Sequence, residues 1–135
     1  TLFRSDPMAI RLAILNLIRN AQQAVETANR LPVVTIQVGQ IKKGNHNFVF
    51  ARIRDNGPRI DDETFAQMQT PLFTTKREGL GLGLPLVHSI AERYGGWLKI
   101  RRWGDDGVGG LEAEFVITCE PEERDYVETG TSTTD

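Results

Sequence analysis

Cysteine is nearly absent: Cys119 is alone in 135 residues, so no internal disulfide framework can staple the fold. Histidine is scarce too. His46 and His88 have no Cys or His partners at metal-ligand spacing, so a zinc site is not expected; His46 reads as a turn residue and His88 as an ordinary helix-surface residue. There is no basic surplus. A net charge of −2 supplies no field for a phosphodiester backbone, so nucleic acid is not expected as a partner. No run of about 18 apolar residues exists, so no segment is built to span a membrane as a helix. No signal peptide is visible. The start at Thr1 reads as a cut from a longer protein, and a cytoplasmic location is the default. Internal repeats, a Ser-His-Asp set and a nucleophile elbow are all missing.

What remains is ordinary globular composition, 39% hydrophobic and 25% charged, in a length that suits one domain with a real core. Residues 1–120 form the expected domain, and the polar stretch 121–135 is expected to fray. Ser5-Asp6-Pro7 predicts a helix start, and the helix should run to about Ala28. Ile10, Ile14, Leu17, Ala21, Ala24 and Ala28 recur at gaps of four and three, which predicts one buried face. Leu12 and Leu15 fall off that face.

Val34, Ile36 and Val38 alternate with polar residues as in a half-buried strand. After a polar turn over 42–47, Val49, Ala51 and Ile53 alternate in the same way, and Asp55 shares their parity at the strand's end. A short helix is expected from Asp61 to roughly Met68. Residues 69–82 show no firm periodicity and predict a mobile loop. A helix follows over about Leu84–Tyr94, stopped by Gly95-Gly96. Two final strands should face Leu98 and Ile100, then Ala113, Phe115 and Ile117, inward. Their outer faces carry Lys99 and Arg101 against Glu112 and Glu114, which suits an antiparallel pair.

Three patterns carry chemistry. Asn16 and Asn20 stand one helical turn apart beside a core seam. A single mid-helix Asn is usually a solvated residue. A pair against a seam needs partners for its amides, and hydrated Mg²⁺ with phosphates would supply them. Asp55-Asn56-Gly57-Pro58 alone is most simply a turn. Its functional reading is a carboxylate that accepts the exocyclic amine of adenine, with Gly57 allowing close approach. Gly79-Leu80-Gly81-Leu82-Gly83-Leu84 opens a helix and presents backbone N–H groups to an anion. It lacks the Gly-Lys-Ser/Thr ending of a Walker loop and does not follow a strand as a dinucleotide fingerprint must. Its bland reading is a hinge. Lys76 in the loop could pair with a terminal phosphate, though a lone loop lysine is more often solvated.

From Asp6 to about Ile117 the chain resembles the catalytic, ATP-binding domain of bacterial sensor histidine kinases, in the superfamily that also holds gyrase-type ATPases. Ile14–Val25 resembles the N box, Asp55–Ile60 the first glycine box, Pro71–Lys76 the F box and Gly79–Leu84 the second glycine box. Any one is weak; four in the family's order are specific. The resemblance implies an α/β (α+β) two-layer sandwich, a mixed sheet covered on one face by about three helices. It implies ATP and Mg²⁺ as cofactors. Asn20 would ligate the metal and Asn16 would contact the ion or phosphates, with Lys76 assisting catalysis. Asp55 and Gly57 would bind adenine. Phe73 would anchor the lid, Thr75 and Lys76 would face the nucleotide, and Gly79, Gly81, Leu82, Gly83 and Leu84 would form the hinge and phosphate-facing turn.

ATPase members of the superfamily carry a water-activating glutamate where this chain has Asn16. An amide cannot take that proton, so the resemblance implies phosphoryl transfer to a histidine rather than hydrolysis. The acceptor would lie on a dimerisation domain of the same parent protein, absent here, with a response regulator downstream. The isolated domain is expected to be a monomer and its parent a homodimer. Arg59 departs from the family's second glycine and could narrow the pocket mouth. Gln23 stands where many relatives carry a basic residue. Two rival readings are a serine kinase of the anti-sigma-factor type and a degenerate nucleotide-binding module that only transmits conformation.

Overall fold

The computed structural model describes residues 7–69, 83–104 and 109–119. In them three helices cover one face of a four-stranded sheet. Helix α1 spans Pro7–Glu26. Its buried ridge is Ala13, Leu17, Ala21 and Val25, a run of four-residue steps. Ile10, Ile14 and Ile18 pack beside that ridge. The helix ends two residues before the expected Ala28, because Thr27 turns both its N–H and its hydroxyl back onto the carbonyl of Ala24, at 3.2 and 2.9 Å. Ser5, Asp6 and the tail over 121–135 lie outside the described residues.

Strands β1 (Val34–Lys43) and β2 (His46–Asp55) form a hairpin whose turn is tighter than expected, Gly44 with φ 61° and Asn45. Helix α2 (Asp62–Met68) is capped by Asp61, whose carboxylate accepts the Thr64 N–H at 2.7 Å. Helix α3 (Leu84–Arg93) ends at Gly95, φ 76°. Strands β3 (Trp97–Trp103) and β4 (Gly110–Thr118) complete the sheet in the order β1-β2-β4-β3. All three pairings are antiparallel, so the sheet over the described residues is antiparallel, where the family resemblance implied a mixed one. The two-layer α+β sandwich is as expected.

Two further expectations need correcting. Among the described residues strand β1 is an edge that α1 covers only marginally, so Ile36 and Val38 are 51% and 73% exposed rather than half-buried. His88 is not an ordinary surface residue of α3: it is half-buried, and its Nε2 is shielded with no hydrogen-bond partner among the described residues. Burial pulls its pKa below the usual imidazole value, and Glu92 pulls the other way.

The face of the sheet away from the helices holds the expected charge pairing. Lys99 sits opposite Glu114 and Arg101 opposite Glu112. Arg52 and Arg54 of β2 join from the other side. Glu112 is only 2% exposed; it accepts from Arg54 Nε at 3.0 Å and from Arg101 through two nitrogens. Burial would raise its pKa, but these hydrogen bonds and charges outweigh that and hold it below the usual carboxylate range. One carboxylate thus ties three strands together.

Candidate active site

Strand β2 delivers Asp55 to the end of the sheet on the helix side, 5% exposed. Asp55 Oδ1 accepts the Gly57 N–H at 2.8 Å and the Leu111 N–H at 3.4 Å. The Asp55 carbonyl accepts from Trp103 Nε1 at 2.8 Å. A side chain at Gly110 would run into the Asp55 backbone, so the glycine there makes room for it. No bond to Oδ2 is formed among the described residues. Burial pushes this carboxyl above the usual carboxylate range, against the lowering pull of the Gly57 and Leu111 N–H groups.

Asp55 stands in a cavity of about 80 Å³ whose walls are otherwise largely apolar. Leu17, Ala21 and Ala24 of α1 form one side, and Ile53, Ile100 and Ala113 of the sheet form the floor. Met68 of α2 and Leu84 of α3 also line it. Asn20, Gln23 and Thr27, the polar shoulder of α1, line the same space. A largely apolar slot with a buried carboxylate suits a heterocycle that carries a hydrogen-bond donor.

Asn16 meets the start of α3. A Cβ added at Gly83 would come within 2.8 Å of the Asn16 amide carbon, so only glycine lets α3 begin that close to α1. The N box and the second glycine box are therefore in contact. Gly57 has a similar role: its missing Cβ would lie 2.8 Å from the Ala24 Cβ, so it seats the Asp55 loop on α1. Gly57 was expected beside the ligand; its close approach is to the helix, and it is not among the cavity's lining residues. Asn56 accepts the Val33 N–H at 2.9 Å and donates to the Leu31 carbonyl at 2.8 Å, which fastens the segment before β1. Arg59 is exposed and does not line the cavity.

The structure thus brings Asn20, Asp55 and Leu84 to one cavity and sets Asn16 and Gly83 against each other beside it. Phe73, Thr75, Lys76, Gly79, Gly81 and Leu82 lie outside the described residues. The clamp on Asp55 from Leu111, Trp103 and Gly110 escaped the sequence reading. Its signal was the Gly109-Gly110 pair ahead of an alternating strand, which looks like a plain connection until β4 is paired with β2.

The family model for histidine kinase-, DNA gyrase B- and HSP90-like ATPases matches residues 5–133. The chain belongs to this ATPase family. ATP binding goes with that membership. Sensor histidine kinase ZraS of Salmonella typhi is 33% identical over 114 residues, 84% of this chain and 22% of its relative. The chain therefore spans about a fifth of that curated relative's length. Among solved structures, the mycobacterial sensor histidine kinase MprB covers 87% of this chain, and 75% of its own is matched, at a TM-score of 0.66 and 23% identity. The catalytic domain of histidine kinase ThkA covers 86%, with 70% of its own chain matched, at a TM-score of 0.57 and 27% identity. The first likeness establishes the fold of this ATPase domain. No helix among the described residues is long and apolar enough to cross a membrane.

Proposed function

We propose that this chain is the ATP-binding catalytic domain of a two-component sensor histidine kinase, serving a histidine on a dimerisation domain of the same parent protein. The observation that carries the reading is the pairing of Asp55, buried in a largely apolar slot, with two amides on α1: Asn20 lining that slot, and Asn16 where a hydrolase would need a carboxylate. Asp55 is the acceptor for the adenine amine. The apolar walls take the ring faces and exclude water from them. Asn20 offers a hard amide oxygen at the cavity wall, suited to Mg²⁺. When bound, Mg·ATP supplies the phosphoryl group and the charge neutralisation. Asn16 holds no proton-accepting site near neutral pH, so water is not activated at this position. A histidine nitrogen already carries its lone pair and needs positioning more than a base.

The relatives named as sensor histidine kinases support this reading, and a response regulator downstream, a homodimeric parent and a cytoplasmic setting go with it. Isothermal titration tests the nucleotide part. ATP should bind more tightly than GTP, because a carboxylate suits an amine and repels a carbonyl. Binding should tighten with Mg²⁺, and Asn20→Ala should abolish that gain with the fold intact. Equal binding of ATP and GTP, or an Asn20→Ala protein with the full Mg²⁺ effect, would contradict it.

A further inference from the structure

Among the described residues, two side-chain atoms are shielded from solvent and lack a hydrogen-bond partner, Gln23 Oε1 and His88 Nε2. Of the two residues, Gln23 is the one that lines the cavity holding Asp55. A buried acceptor without a partner costs stability, and a donor on a ligand in this cavity would remove that cost. The order of groups along α1 says where such a donor would lie. Asn20, one turn earlier, marks the phosphate and metal end of the proposed site. Ala24, the next residue, carries the loop of Asp55 through Gly57 and marks the base end. Gln23 stands between them, and between the base and phosphates of any nucleotide lies its sugar. The chemistry agrees. An adenine nucleotide has few donors: its exocyclic amine, which Asp55 takes, and the ribose hydroxyls. Ionised phosphates only accept. A basic residue would read the phosphates here, whereas an amide oxygen reads a hydroxyl.

We propose that Gln23 Oε1 accepts a hydrogen bond from a ribose hydroxyl, which makes this chain selective for ribonucleotides over deoxyribonucleotides. The inference rests on the nucleotide reading above. The test is calorimetric titration of the chain with ATP, 2′-deoxy-ATP and 3′-deoxy-ATP at fixed Mg²⁺, for the wild type, Gln23→Met and Gln23→Glu. Wild type should bind ATP roughly 3- to 10-fold more tightly than one of the deoxy analogues, the size of one net hydrogen bond. Gln23→Met has the shape without the acceptor and should bind ATP and that analogue equally. Gln23→Glu keeps an acceptor and should keep the discrimination, with weaker binding overall from its charge near the phosphates. Asp55→Asn should keep the sugar ratio while losing the preference for ATP over GTP. Equal wild-type affinity for all three nucleotides overturns the inference, as does a Gln23→Met protein that still discriminates. If neither Gln23 variant folds, as read by circular dichroism, the wild-type ratio alone decides. No ATP binding by folded wild type would overturn the nucleotide reading as well; ATP binding that depends on Asp55 without sugar discrimination would overturn only the role of Gln23.

Discussion

Asp55 is an ionisable group kept where charge is unwelcome, and that has a sign. Its pKa is raised in the folded state, mainly by burial. The folded protein therefore holds this proton more tightly than the unfolded chain. Stability from this group is present at low pH and is lost as pH rises from the ordinary carboxylate range through the raised value. Asp55→Asn removes the charge while leaving an oxygen to accept from Gly57 and Leu111. We expect the variant to melt higher than wild type at pH 7, with a gap that closes as pH falls into the ordinary carboxylate range. It should lose about 1.5–3 kcal/mol of ATP binding, the worth of a hydrogen bond to a charged acceptor. Melting curves at several pH values and calorimetry read the two effects. A variant that loses stability at pH 7 without losing affinity would assign Asp55 to the scaffold alone.

Between elements, close approach and one buried carboxylate do most of the positioning. Gly83→Ala places a methyl group into the Asn16 amide and should push the start of α3 away from α1. ATP affinity should fall while circular dichroism stays native; unchanged affinity would separate Asn16 from the site. On the sheet's other face, Glu112→Gln should cost on the order of 1.5–3 kcal/mol in urea unfolding, since it removes a charged acceptor from Arg54 and Arg101. The folded pKa of Glu112 is depressed, so its contribution is present above the ordinary carboxylate range and lost as pH falls through the folded value. The variant's penalty should therefore shrink in acid. These elements were largely legible in the sequence. Alternation placed Asp55 on the inner face, and charge signs gave the antiparallel pairing of the last two strands, though its register, Lys99 to Glu114 and Arg101 to Glu112, came from the structure. What sequence periodicity cannot carry is the width of the covering layer. Ile36 and Val38 look like core residues and stand exposed because, among the described residues, α1 covers β1 only marginally. Glu112 looks like surface and is buried because arginines from both neighbouring strands close over it. Leu111 and Gly110 join the candidate site only through the β2–β4 register, a long-range pairing.

At the scale of the whole molecule, the chain sets an apolar slot holding Asp55 beside two amides of α1, and on the proposed reading Asn16 stands where a hydrolase would carry its water-activating carboxylate. His46 and His88 lack the sequence neighbours expected of an acceptor. His46 opens β2, and His88 is half-buried on α3. The isolated chain should therefore bind ATP, label itself no more than background and hydrolyse ATP only slowly. The deciding measurement is transfer. The chain is incubated with labelled Mg·ATP and a purified histidine-bearing dimerisation domain from its own parent protein, and the product is treated with acid and with base. We predict label on that partner which survives base and is lost in acid, as an N–P bond to histidine requires. Label that survives acid, brisk hydrolysis without transfer, or tight ATP binding with no transfer to the cognate partner would each contradict the account.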